Sequence, residues 1–470
     1  MYRVILFLLV AIGYCVSQSN LNIRKVEQIL STEDQNLKGI LSNPQFYPNS
    51  ADVFSFVRQL EDSRYLYIYT ISQKKLTEVL TVEKSQELKI SLNKSINSQL
   101  VFNDQLDWRP GNQNDKRWFV FVSNGLEDNH DIYLSYVGNK KPIRLTKHPS
   151  IDNKPKWSPD GNSIAFITSR SAKGDIYLIQ NINDIISNGD ASDIKIKPLT
   201  VSPEEEVDIA WNYNPASYLL AYTKRVRFPE KNIETYQIYL TDLLQKELNK
   251  PIVVTNDPSK HYTRPMWDPY DDTKLIYVGQ AIEKDSPGHL YMAQFKWSED
   301  KKLEGQLLEG HTQELFKNIY LKAAPVLWLP GGKALLCQED KETLNFPVYI
   351  INIERWLNRR AAAVNYFENL HVKYPLITGF DAIQDNLLFT VQEGKFFKIY
   401  RAHIYGSDVT TTGNVIRLME NPNKPSYLWY YVGGSGAAGL GFLIYEIFKG
   451  EENGNGNDNG EIGRPPSMPK

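Results

Sequence analysis

One order of elements recurs along the chain: an aromatic residue, a turn, an apolar strand-like run, a second run carrying an aliphatic-Tyr pair, and often a Leu-Thr-like strand. The opening aromatics are Phe46, Trp108, Trp157, Trp211, Trp267, Trp328 and Phe380, separated by 62, 49, 54, 56, 61 and 52 residues. The recurring tyrosines are Tyr67, Tyr133, Tyr177, Tyr239, Tyr291, Tyr349 and Tyr400, each 20 to 28 residues after its aromatic. A period of about 50 residues with short strands and no helical pattern between units is the signature of a β-propeller. A four-stranded sheet has two faces to bury, and stacking such sheets radially in a ring buries both. The fold class is therefore all-β, a propeller over residues 41–420 with seven blades, or six if the Phe46 and Phe380 units share one. On this reading the aromatics fill the space between blades and are not binding residues.

The sharpest unit runs from Pro155 to Leu178. Ser158-Pro159-Asp160-Gly161 lies between two strand-like runs and is turn chemistry: proline presets one dihedral, aspartate bonds the local backbone and glycine takes a positive φ. A third strand begins at Asp175 and a fourth at Ile196. This unit resembles the TolB-like, WD40-like propeller repeat, whose pattern is a tryptophan, Ser-Pro-Asp-Gly, an apolar strand, an arginine and Asp-Ile-Tyr. The resemblance is strong over 103–200. Elsewhere Trp108-Arg109-Pro110-Gly111, Trp211-Asn212-Tyr213-Asn214-Pro215, Trp267-Asp268-Pro269-Tyr270 and Trp328-Leu329-Pro330-Gly331-Gly332 keep aromatic and turn but lose the string. It implies a repeat family whose functions reside in loops grafted on a repeated frame.

The ends read differently. Arg3 precedes an uncharged run from Val4 to Val16, a secretory signal peptide over 1–17 that is too short to span a bilayer. Tyr14 stands where a lipidation signal at Cys15 would want a small side chain. Residues 18–40 form an amino-terminal segment ahead of the propeller. Ser426 to Tyr445 carries no charge and opens on Tyr427, Trp429, Tyr430 and Tyr431, so 426–448 is expected to be a transmembrane helix. Small residues four apart, such as Gly434 and Ala438, would allow helix-mediated self-association. The Gly/Asn-rich tail 449–470 is expected to be disordered. Together these features predict an exported single-pass protein whose propeller is periplasmic or extracellular.

Chemistry is sparse. Lys+Arg is 53 and Asp+Glu 55, a formal charge of -2, which argues against a nucleic-acid binder. Two cysteines make no disulfide framework, and Cys337, inside Ala334-Leu335-Leu336, reads as a small core residue. The histidines at 130, 148, 261, 289, 311, 371 and 403 fall in different units with no pair at ligand spacing. Glu204-Glu205-Glu206 reads as a solvated face. A hydrolase of the prolyl-oligopeptidase kind, whose gate such propellers resemble, would need a further α/β domain with Gly-x-Ser-x-Gly; Gly433-Gly434-Ser435-Gly436-Ala437 lacks the last glycine. No catalytic, cofactor-binding or metal-binding residue is assigned. The expected function is a noncatalytic protein-binding or scaffolding propeller with a partner in the cell envelope. The alternative is an envelope hydrolase or lyase with a polar site at the propeller axis.

Overall fold

The structure, a computed structural model, describes residues 21–406 apart from 35–36, 49, 80–100, 111–115, 125–128, 172, 193, 201, 216–217, 244–250, 284–285, 296–312, 317–325, 339–347, 355–363 and 367–376. After strand β1 (Leu21–Ser31) the chain lays down its sheets in sequence order. Blade 1 is β2 (Ile40–Tyr47), β3 (Ser50–Leu60), β4 (Ser63–Thr70) and β5 (Lys75–Glu78). Blade 2 is β6 (Asn103–Trp108), β7 (Trp118–Ser123), β8 (Asp131–Tyr136) and β9 (Ile143–Arg144). Blade 3 is β10 (Asp152–Trp157), β11 (Ile164–Thr168), β12 (Asp175–Gln180) and β13 (Lys195–Pro198). Blade 4 is β14 (Glu206–Trp211), β15 (Leu219–Phe228), β16 (Ile233–Asp242) and β17 (Ile252–Val253). Blade 5 is β18 (Lys260–Asp268), β19 (Asp271–Ala281), β20 (Gly288–Gln294) and β21 (Gln313–Phe316). Blade 6 is β22 (Val326–Trp328), β23 (Ala334–Gln338), β24 (Val348–Asn352) and β25 (Val364–Tyr366). Blade 7 is β26 (Ile377–Ile383), β27 (Asn386–Glu393) and β28 (Phe396–Gly406), with β1 as its fourth strand.

Each sheet is an antiparallel meander, and the first strands of adjoining blades lie against one another: β6 on β10, β10 on β14, β14 on β18, β22 on β26 and β26 on β2. First strands therefore form the inner ring. Every opening aromatic sits on a first strand and is buried, from Trp157 at 0% exposed to Trp328 at 7%, so these residues are packing elements, as their recurrence predicts. Three of the indoles also tie neighbouring blades together. Trp157 Nε1 donates to the Asp107 carbonyl (3.1 Å), Trp211 Nε1 to that of Lys156 (3.2 Å) and Trp267 Nε1 to that of Ala210 (3.2 Å). A buried indole N–H needs an acceptor. Each finds it on the residue preceding the aromatic of the blade before. The apolar clusters span blade pairs in the same way, Phe121 and Tyr133 packing with Val53 and Ile68, and Ile167 and Ile176 with Ile209 and Trp211.

The turn of blade 3 has the chemistry its sequence announces. Ser158 Oγ accepts the Ser163 N–H at 2.9 Å, and Gly161 N–H reaches the Ser158 carbonyl at 2.9 Å. Gly161 has φ +67°, and a Cβ there would lie 2.9 Å from the Pro110 carbonyl of blade 2, so glycine is required by both conformation and space.

Seven blades are present, and Phe46 and Phe380 stand in separate sheets, the Phe46 N–H donating to Asp381 Oδ2 at 2.7 Å across the joint. The six-blade alternative is thereby removed. A second expectation needs correction: residues 21–31 are not a segment ahead of the propeller but the outer strand of its last blade. β1 pairs with β28 from Leu21 opposite Gly406 to Ser31 opposite Lys398. The physical reason is the open edge of β28, which Leu21, fully buried, and two hydrogen bonds between Thr32 and Phe397 close (Thr32 N–H to Phe397 O 2.9 Å, Phe397 N–H to Thr32 Oγ1 2.8 Å). A short helix, α1 (Ile182–Asn188), also went unanticipated; it buries Ile182 and Ile185 against blades 2 and 3. The signal peptide 1–17, the transmembrane helix 426–448 and the tail 449–470 lie outside the described residues. Among those described, no helix is long and apolar enough to cross a membrane.

Candidate functional site

The first strands carry a repeated irregularity. Their register with the second strand slips between Ser42 and Gln45, Asp104 and Asp107, Asn153 and Lys156, and Thr263 and Met266. At each slip a residue other than glycine takes a left-handed conformation: Asn43 (φ 51°), Gln105 (φ 56°), Lys154 (φ 49°) and Arg264 (φ 56°). Such residues are uncommon and mark β-bulges that re-aim a side chain. Three of these bulges are wired into one chain of contacts around the axis. Gln105 Oε1 accepts the Lys154 N–H at 2.6 Å, Lys154 Nζ reaches Asp208 Oδ1 at 2.9 Å and the Val207 carbonyl at 2.6 Å, and Asp208 Oδ2 accepts the Arg264 N–H at 3.3 Å. Beneath it, Lys156 Nζ stands 3.7 Å from Asp107 Oδ1, both side chains almost fully buried. Burial holds the Lys156 ammonium down to about 7 against the pull of Asp107. Asp107, Lys154, Lys156 and Asp208 of blades 2 to 4 are thus engaged with one another, and Lys156, 2% exposed, is closed to a substrate.

A second polar region occupies the upper face, where first strands begin and second strands turn into third. Arg64 of blade 1 pairs with Asp104 of blade 2 at 2.6 Å and lies over Phe102, which stacks on His130 (centroids 4.3 Å). Burial, then Arg64, pushes the His130 imidazole below its ordinary range. Asp131 is pushed up to about 6 by burial, although Arg144 at 2.5 Å opposes that shift. Arg170 holds Asp152 at 3.0 Å. On blade 4, Arg225 joins Glu205 (2.7 Å) and the Tyr236 hydroxyl (2.8 Å), and the Tyr236 N–H donates to His261 Nδ1 (3.2 Å). Exposed large apolar side chains are interspersed: Leu60, Ile151 and Ile282.

The triple glutamate splits. Glu204 and Glu205 are half-buried in ion pairs with Lys224 and Arg225, whereas Glu206 is buried between Ser202 Oγ (2.9 Å) and Thr200 Oγ1 (3.1 Å), its carboxyl pushed up to about 8 by burial. The sequence offered no signal for that difference beyond Glu206 opening an apolar strand. Among the described residues the histidines do not converge: His148 Nδ1 accepts the Ser150 N–H, His403 meets Asp385 at 2.8 Å, and His289 pairs with Gly279 in blade 5. His311 and His371 lie outside the described residues. Among the described residues no group of three His, Cys, Asp or Glu is placed to hold a metal. Cys337 is fully buried, and burial raises its thiol.

Comparison with known proteins adds to this geometry. Over 120 residues the chain is 28% identical to the Tol-Pal system protein TolB of Desulfosudis oleivorans, a stretch making up 26% of this chain and 24% of that protein. The propeller repeats are TolB-like. The match thus spans about a quarter of TolB, and no family model matches the chain. Among solved structures, a puromycin-hydrolyzing peptidase of Mycobacterium tuberculosis superposes with a TM-score of 0.53 at 14% identity, covering 81% of this chain and 54% of that one. An oligogalacturonate lyase in complex with manganese superposes with a TM-score of 0.51 at 11% identity, covering 83% and 97%. At these identities the two share the fold with the TolB-like ring described here.

Proposed function

We propose that this TolB-like propeller is a noncatalytic binding or scaffolding module of the cell envelope, exported by residues 1–17 and held in the membrane by a helix at 426–448, with its upper face turned to a protein partner. The upper face carries the reading: arginines paired to carboxylates, aromatic rings and isolated apolar side chains are mixed there, the composition of a protein-contact surface. The likeness to a protein of the Tol-Pal system supports an envelope setting. The rival reading, a hydrolase or lyase at the axis, draws support from the lyase and peptidase folds and from the lowered Lys156 ammonium. It is the weaker of the two because Lys154 and Lys156 are paired to Asp208 and Asp107 and Lys156 is inaccessible.

A photocrosslinking residue in place of Ile282, 41% exposed on the upper face, should capture one defined protein in intact envelopes. Turnover of peptide or uronate substrates by the purified full chain would refute the reading in favour of the enzyme. Topology is tested by protease added to spheroplasts, which should digest the propeller and spare a tag after Lys470. Release of the protein by carbonate washing would show that it has no membrane span.

A further inference from the structure

The middle strands of blade 4 outrun their neighbours. β14 begins at Glu206, opposite Lys224, yet β15 continues to Phe228, and β16 returns from Ile233 in full register with it. β17 pairs with β16 only at Tyr239 and Leu240. Residues 225–236 therefore form a two-stranded ribbon above the upper face, turned by a 3-10 segment at Pro229–Lys231. Its base is fixed: the Arg225 N–H donates to the Glu205 carbonyl (2.8 Å), the Tyr236 hydroxyl to Glu205 Oε2 (2.9 Å), and the Tyr236 N–H to His261 Nδ1 (3.2 Å).

These bonds fix the direction of every main-chain group in the ribbon. The Leu219 carbonyl accepts the Asn212 N–H and the Arg225 N–H reaches Glu205, so odd-numbered residues of β15 address the β14 side. Arg227 and Glu234 are consequently a non-hydrogen-bonded pair within the ribbon. Arg227 presents its N–H and C=O along an edge that no strand covers among the described residues beyond Glu205. The side chains alternate along that edge, Arg225 and Arg227 exposed, Val226 and Phe228 half-buried.

We propose that this edge accepts an extended segment of a protein partner as an added strand, with an acidic side chain opposite Arg227. Strand addition supplies affinity through main-chain bonds and specificity through alternate side chains. A second copy of this chain is the poorer occupant. Hydrogen-bonded pairing of two such edges must oppose the residues whose main-chain groups face outward beyond Glu205, which is Arg227 on both copies, so arginine meets arginine. An acidic, alternately apolar segment meets complementary charge on one face and Val226 and Phe228 on the other. The inference rests on the protein-binding reading above and names the kind of segment bound.

The test uses the purified full-length protein and a short, end-capped, fluorescent peptide of alternating valine and glutamate, with its valine-lysine counterpart as control. The glutamate peptide should bind saturably and the lysine peptide should not. Arg227→Glu should weaken binding by about tenfold or more, the loss expected from reversing one charge-assisted contact. Arg227→Pro removes the outward N–H without touching the ribbon's internal ladder and should weaken it similarly with an unchanged melting temperature. Hydrogen exchange at the Arg227 amide should slow on binding. Wild-type affinity in both variants, or unchanged exchange at that amide, would overturn the proposal. If crosslinks from Ile282 form while the glutamate peptide fails to bind the wild type, protein binding stands and strand addition falls; if no crosslink forms in the wild type either, the broader reading falls as well.

Discussion

At the scale of single residues, burial decides what a side chain does. Trp157 is fully enclosed, donates its indole N–H to Asp107 and receives the Asp107 carboxylate on its backbone N–H at 2.7 Å. Trp157→Ala should destabilise the fold by about 3 to 5 kcal/mol, as for other buried tryptophans. An unchanged denaturant midpoint would contradict its packing role. Glu206 makes a prediction about pH. Its folded carboxyl titrates near 8 against 4.5 for the ordinary group, so between those values the folded chain holds a proton that the unfolded chain has released. Stability from this residue is full below pH 4.5 and declines as pH rises to 8, by at most about 1.4 kcal/mol per pH unit. Unfolding Glu206→Gln and wild type in denaturant from pH 5 to 8 should show a shallower decline in the variant. Parallel slopes would mean that Glu206 is ionised in the fold.

At the scale of elements, the strands are read from alternation and turns, and their exceptions carry the interest. The bulges at Asn43, Gln105, Lys154 and Arg264 break the alternation of the first strands, and at one of them Lys154 reaches Asp208 of the next blade. The blade 4 ribbon is the second exception. Replacing residues 227–234 by Asn-Gly joins Val226 and Thr235, which already face each other across the ladder, through a two-residue turn of the favoured kind. The shortened protein should keep its circular dichroism and melt within a few degrees of wild type, because the removed residues stand above the ring. Collapse of the melting temperature would show that the ribbon supports the fold.

At the scale of the whole molecule, the ring is closed by residues more than 360 positions apart, Thr32 and Phe397 among them (separation 365). The closing strand, Leu21–Ser31, completes blade 7 beside strands drawn from residues 377–406. Leu21 lies at its start, fully buried, at one end of an apolar cluster that runs through blades 4 to 7. Leu21→Ala should cost about 2 to 5 kcal/mol, the range for a buried leucine. Deleting residues 18–31 should make blade 7 the first site of limited proteolysis. If cleavage began elsewhere and stability were unchanged, the closing strand would be dispensable.

The amino-acid sequence by itself determined the repeat, the all-β class, the buried aromatics and the Ser158–Gly161 turn, because each depends on spacing within some 50 residues and on local backbone chemistry. The number of blades was legible only to within one, since a weak unit at Phe380 has no local mark of its own sheet. What the tertiary structure alone decided is how distant parts meet: β1 on β28, Lys154 on Asp208, and Glu206 buried while its two neighbours stay partly exposed in ion pairs. Those outcomes depend on which surfaces the closed ring brings together and which it dehydrates, and neither is a property of any short stretch of chain.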